Sequence, residues 1–155
     1  MPTIRPLASD DRPLVDAALR SDGTFRDDEV VVAMELIDAS LAGDPSYLVR
    51  VAEVDGRVAG YICFGQTPMT AGTWDLYWVV THAQARGRGV AGTLIEAMEA
   101  EIRARGATAI RVETSQLESY GPARRVYDRH GYPETARFRD FYRAGDDLVV
   151  YYKRL

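Results

Sequence analysis

Cysteine is nearly absent. Cys63 is the only one in 155 residues, so no disulfide framework supports this fold. It stands in an apolar, strand-like run, which makes it a core residue rather than a nucleophile. Histidine is almost as scarce: His82 and His130 are far apart, and no zinc-ligand spacing is visible. Positive charge is not in excess either, with 19 basic against 23 acidic residues and a net charge of −4. That removes a nucleic-acid footprint at the level of the whole chain. The mild acidity reads as ordinary solubility, although it also suits a cationic substrate. No apolar run approaches ~20 residues, and Met1-Pro2-Thr3-Ile4-Arg5 lacks the apolar core of a signal peptide. A cytoplasmic protein without membrane association is therefore expected. Repeats, linkers and low-complexity tracts are missing too. With 46% hydrophobic and 27% charged residues, the expectation is one globular domain over residues 1–155.

What is present centres on Arg86-Gly87-Arg88-Gly89-Val90-Ala91-Gly92, between an aromatic-rich run and an amphipathic one. Small residues at the start of a helix let a phosphate approach the backbone closely. The free N–H groups of the first turn and the helix dipole then favour the anion, and the arginines add charge. The stretch reads as a phosphate cradle. Gly87-x-Gly89-x-x-Gly92 also matches a dinucleotide fingerprint, with Glu113 lying 21 residues further on. Context opposes that reading. Thr81 to Arg86 separate the glycines from their strand, and the chain before Trp74 does not read as a doubly wound sheet.

Taken in order, Ile4 to Leu7 is a short strand, and Ser9-Asp10-Asp11 caps a helix with Pro13 in its first turn. A second helix is expected over 27–41, stopped by Gly43-Asp44-Pro45. Tyr47 to Val54 and Val58 to Phe64, joined by Asp55-Gly56, read as a tight hairpin. Gly60 marks a bulge or the close approach of another backbone. Thr73 to Val80 is apolar nearly throughout, as in a strand buried on both faces. Ala91, Leu94, Ile95, Met98 and Ile102 form a helical stripe, with Glu99–Arg103 and Glu101–Arg105 expected on the exposed side. Gly106 ends that helix, and Ala107 to Thr114 returns parallel, completing a βαβ unit. Pro122 to His130 is a shorter helix closed by Gly131. Tyr132 to Tyr142 and Leu148 to Arg154 form a last hairpin across Gly145-Asp146-Asp147, the two aspartates serving the turn.

Arg86-x-x-Gly89-x-Ala91 resembles the Gln/Arg-x-x-Gly-x-Gly/Ala signature of the GNAT family of N-acetyltransferases. Tyr120-Gly-Pro-Ala123-Arg-Arg-Val126-Tyr127, followed by Gly131-Tyr132, resembles that family's Asn-x-x-Ala-x-x-Phe-Tyr and Gly-Phe. Tyr120 replaces the asparagine, which removes the contact an asparagine side chain makes to pantetheine. The order of elements over the whole chain is similar as well. The resemblance implies a mixed α/β fold: a mostly antiparallel sheet of about seven strands, a splayed parallel pair at its centre, and about four flanking helices. It also implies acetyl-CoA as co-substrate and a small-molecule or peptide amine as acceptor, with a homodimer possible in such folds and no metal. The pyrophosphate would lie on residues 86–92, and pantetheine along the main chain of Trp78, Val79 and Val80, with the Val79 N–H as oxyanion donor. Tyr120, Ala123, Arg124 and Tyr127 would complete the cofactor site, Arg125 being a further candidate for the phosphates. Tyr127 would protonate the leaving thiolate, and Asp75, eleven residues before Arg86, would take the ammonium proton. Glu113, Glu35 or a water chain are alternatives for that base. Phe25, Glu29, Phe138 and Tyr142 could shape an acceptor pocket or finish a core. A second reading stays open, a module of the same fold that binds acyl-CoA without catalysis.

Overall fold

The computed structural model describes residues 1–155. Strand β1 (Thr3–Pro6) leads through a 3-10 turn, Ser9–Asp11, into α1 (Arg12–Arg20) and α2 (Asp27–Leu41). Strands β2 (Leu48–Val54) and β3 (Arg57–Gln66) form the expected hairpin. Both of its turn residues have positive φ, 52° at Asp55 and 73° at Gly56, as a two-residue turn matched to strand twist requires. Strand β4 (Thr73–Thr81), helix α3 (Val90–Ala104) and strand β5 (Ala109–Ser115) follow. Helix α4 (Gly121–Arg129) and the hairpin of β6 (Glu134–Arg143) and β7 (Asp146–Arg154) complete the chain.

Seven strands make one sheet in the order β1-β2-β3-β4-β5-β7-β6, antiparallel except for the central β4–β5 pair. Strand β3 shows why the sheet is covered on both sides. Ile62 and Phe64 face the core beneath α3 and α4, while Tyr61 and Cys63 face the core beneath α1 and α2. Gly60 sits where β3 meets the end of β4. A Cβ there would lie 2.4 Å from the Val80 carbonyl oxygen, so the close approach foreseen for this glycine is real.

The centre of the sheet opens. The parallel ladder joins only Thr73–Leu76 to Ala109–Val112. Beyond it β4 pairs with β3 alone, and Glu113 to Ser115 of β5 pair with β7 alone. A register shift lies at the fork: Phe64 pairs with Leu76 and Cys63 with Trp78, leaving Tyr77 as the extra residue of a bulge.

Two expectations are corrected. Glu99 is not on the exposed side of α3 but buried. It stands four residues after Ile95 and three before Ile102, on the inward stripe. Its carboxylate accepts hydrogen bonds from Lys153 Nζ and the Tyr132 hydroxyl, each at 2.8 Å, and from Arg103 at 3.3 Å. Burial alone would raise the Glu99 pKa, yet these partners hold it below the usual carboxylate range. Lys153, the chain's only lysine, also donates to the His130 carbonyl at 2.7 Å and lies 4.9 Å from the Tyr132 ring centre. Asp146, too, is more than a turn residue. It opens β7, is buried, accepts from the Ser115 hydroxyl, and pairs with Arg143 at 3.0 Å.

Candidate active site

Two cavities meet where the sheet forks. The first is a groove of 510 Å³ between the end of β4, the N-terminus of α3, and α4. Gly87 and Gly89 have φ of 76° and 74°, a region that favours glycine. A Cβ at either would meet no protein atom within 4 Å, so the loop faces open space that a ligand can enter. Gly89 is the residue before the first turn of α3, and that turn holds no acidic side chain. Its free N–H groups are thus the natural anion site.

Arg86 to Gly92 do not all serve the groove alike. Gly87, Gly89, Val90, Ala91 and Gly92 line it, together with Val79, Val80, Tyr120 and Ala123. Arg86 lines it while bound to Asp22, which Thr24 and Arg86 keep below the usual carboxylate range against the effect of burial. Arg88 lies outside the groove and pairs with Asp55 at 3.1 Å. Gly92 has a packing role as well, since a Cβ there would come within 3.1 Å of the His130 ring. Arg124 lines neither cavity; its guanidinium donates to the carbonyls of Ser115 at 2.6 Å and Leu117 at 2.9 Å. Arg125 and Arg129, one face of α4 further round, line the groove instead.

The second cavity, of 800 Å³, lies between the forked ends of β4 and β5, the start of α2, α4 and the last hairpin. Trp78, Asp75 and Tyr127 open onto this pocket, as do Glu29, Glu113 and Tyr142. Glu35 and Phe138 line neither cavity. Six residues are common to both: Thr24, Phe25, Val79, Ser119, Tyr120 and Ala123. Phe25 packs edge-on against Trp78 at 5.4 Å and against Tyr120 at 5.9 Å, so three rings wall the junction. The Tyr120 hydroxyl donates to Glu29, tying α4 to α2 across it.

Asp75 is buried, and each of its oxygens has a partner. It accepts from Arg111, its cross-strand partner on β5, at 2.7 Å and from the Thr67 hydroxyl at 2.7 Å. Nearby Tyr77 is pushed up to about 12 by burial, with the Asp75 charge adding to the effect. Tyr127 is 4% exposed, packed between Tyr132 and Tyr151, and its hydroxyl has no hydrogen-bond partner in the protein. Burial, with Tyr151 as a lesser cause, raises its pKa, so the phenol keeps its proton. Sequence reasoning missed Arg111, Arg143 and Asp146 as pocket residues. A signal existed for Arg111, because a carboxylate in an apolar strand calls for a cation on the neighbouring one.

A forked parallel pair, a glycine cradle at the following helix and a second pocket at the fork define an acyltransferase architecture of the acetyl-CoA-binding kind. The sequence model of the acetyltransferase (GNAT) family matches residues 7–132, and the chain belongs to that family. A GNAT-family protein from Desulfovibrio desulfuricans is similar at 34% identity, with 99% of each chain covered and a TM-score of 0.93. The fold is shared with yncA of Salmonella typhimurium, solved with its cofactor acetyl-CoA, at 21% identity, TM-score 0.75, covering 100% of this chain and 94% of that one. It is also shared with an aminoglycoside 6'-N-acetyltransferase complexed with coenzyme A, at 15% identity, TM-score 0.76, covering 98% and 96%. No curated protein matches in sequence.

Proposed function

We propose that this protein transfers the acetyl group of acetyl-CoA to a primary amine by direct attack in a ternary complex. The observation that carries this reading is the meeting of a phosphate-compatible groove and a separate pocket at Val79 and Tyr120, with the unpartnered Tyr127 hydroxyl on the pocket side. Two substrates entering from opposite sides then meet without a covalent enzyme intermediate.

The free N–H groups of Val90 to Gly92 hold the pyrophosphate, and Arg125 and Arg129 on the groove wall add positive charge. The strand edge freed at the fork binds the pantetheine arm through main chain, and the Val79 N–H polarises the thioester carbonyl. The neutral amine nitrogen forms its bond to the carbonyl carbon, the C–S bond breaks as Tyr127 gives its proton to the departing sulfur, and the proton the nitrogen sheds on becoming an amide restores the Tyr127 phenol. The ammonium proton must leave first. Asp75 on the pocket wall is one candidate to take it; each of its oxygens accepts one hydrogen bond, from Arg111 or Thr67, so it also holds Arg111 and the fork in place. Glu113 is the other candidate, the pocket carboxylate with fewer partners. It is half exposed, and its only cationic neighbour is Arg111 at 4.0 Å. The setting proposed with this reaction is the cytoplasm, where a free buried thiol such as Cys63 stays reduced.

Purified protein incubated with acetyl-CoA and a panel of amines should release coenzyme A, read with a thiol reagent, in step with acetylated product. Tight coenzyme A binding with no transfer to any amine would replace this reading by the non-catalytic acyl-CoA-binding module.

A further inference from the structure

The pocket at the fork has a composition that selects among amines. Its lining carries five carboxylates, Asp28, Glu29, Asp75, Glu113 and Asp146, and three guanidiniums. Each guanidinium is already matched: Arg111 to Asp75 at 2.7 Å, Arg143 to Asp146 at 3.0 Å, and Arg26 to Asp28 at 3.1 Å. Arg26 also reaches Glu29 at 3.5 Å. What remains is a surplus of two negative charges, on Glu29 and Glu113. Tyr142 lines the same cavity, and its hydroxyl is raised in pKa chiefly by burial and then by the charges of Glu113, Asp146 and Glu29.

The rest of the lining is aromatic. Phe25, Tyr77, Trp78, Tyr120, Tyr127 and Tyr142 face the space, while Val32 and Leu117 stand partly exposed at its rim. Aromatic faces and carboxylates both attract an ammonium ion, and the rings also accept an apolar body. A substrate carboxylate would meet guanidiniums that are already matched one to one and two further carboxylates in excess of them. A polyamine would meet more ring surface than anionic surface. Tyr127 lines this cavity with its hydroxyl unpartnered within the protein, a place that a polar reacting group can complete.

We propose that the acceptor is an amphipathic cation: a primary ammonium joined to an aromatic or large aliphatic body, with no anionic group beside the amine. This rests on the acetyl-transfer reading for the identity of the pocket. The same chemistry is presented by a free arylalkylamine and by the N-terminus of a peptide with a large apolar first residue.

Calorimetric titration of the protein saturated with coenzyme A tests this without requiring turnover. The probes are 2-phenylethylamine, phenylalaninamide, phenylalanine, spermidine and 2-phenylethanol. 2-Phenylethylamine should bind at least about tenfold more tightly than phenylalanine, spermidine or the uncharged alcohol, a difference of the size a desolvated cation–π contact supplies. In Glu113→Gln the advantage over 2-phenylethanol should shrink severalfold while the alcohol's own affinity is kept. Phenylalaninamide matching 2-phenylethylamine points to the peptide source, and its failure to bind to the free amine. Equal or tighter binding of phenylalanine or spermidine overturns the proposal, as does absence of binding by both 2-phenylethylamine and phenylalaninamide. Mixing the bound amine with acetyl-CoA separates the two readings. An amine that binds as expected but is never acetylated removes the transferase reading, whereas acetylation of phenylalanine alone removes only this one.

Discussion

At the residue scale the chemistry turns on which polar groups are left free by their neighbours. Tyr127 and Asp75 were singled out together from sequence, but the folded chain treats them oppositely. Asp75 accepts a hydrogen bond from Arg111 and another from Thr67, while the Tyr127 hydroxyl has no internal partner. Tyr127→Phe keeps the ring between Tyr132 and Tyr151 and removes only the oxygen. Affinity for acetyl-CoA should stay near normal while kcat falls ~10²-fold, provided chemistry limits the rate. Unchanged single-turnover kinetics would take the acid role away from this residue. Side-chain burial is what sequence could not convey here. Asp146 follows a glycine in a run that reads as a turn, and nothing local says that Ser115 and Arg143 close over it. Arg124 and Arg125 are adjacent and alike on paper, and only the phase of α4 against the groove separates them.

At the element scale, most of the fold was legible because its signals are local. Asp55-Gly56 dictates a two-residue hairpin, Gly106 and Gly131 with φ of 86° and 76° follow the ends of α3 and α4, and the apolar stripe of α3 matches its buried face. The bulge at Tyr77 was not legible, since an unbroken apolar run does not reveal which residue is the extra one. Helix α3 gives a test in which folding and binding should separate. Ala91 lies in its first turn and lines the groove. A carboxylate there suits the helix dipole, so Ala91→Glu should fold with unchanged or slightly raised stability. The same charge faces the bound pyrophosphate, and coenzyme A affinity should drop by about 10²-fold or more. A folded Ala91→Glu protein with normal affinity would move the phosphate site off this helix. The other end of α3 depends on Glu99 and its lysine. Lys153→Met strands a buried carboxylate and should cost about 3 kcal/mol at pH 7 in urea denaturation. Glu99 has a lowered pKa in the folded protein, so its ionic contribution is complete above the unfolded carboxyl value near ~4.3 and is lost as pH falls through the folded one. The gap between wild type and variant should therefore narrow as pH falls from about 5 to about 3. A gap that widens would mean that Glu99 is not the group involved.

At the scale of the whole molecule, the fork divides the sheet into β1–β4 and β5–β7, joined at the centre by a ladder of four residue pairs. A ligand in the groove touches both parts, through β4 and α3 on one side and α4 on the other. Coenzyme A at 100 times its Kd should add about 2.7 kcal/mol to stability, which for a chain of this size corresponds to a rise in Tm of roughly 5–10 °C. NADH should leave Tm unchanged; a comparable rise with NADH would restore the dinucleotide reading of the glycine run. The half-buried Lys153 has another bearing on a protein that handles an activated thioester. Of 19 basic side chains, 18 are arginines, whose guanidiniums stay protonated and are poor nucleophiles at neutral pH. The single lysine is clamped between Glu99 and the His130 carbonyl. The folded surface thus carries its positive charge in a form the acyl donor cannot modify, and no unclamped side-chain amine is left at which the protein could acylate itself.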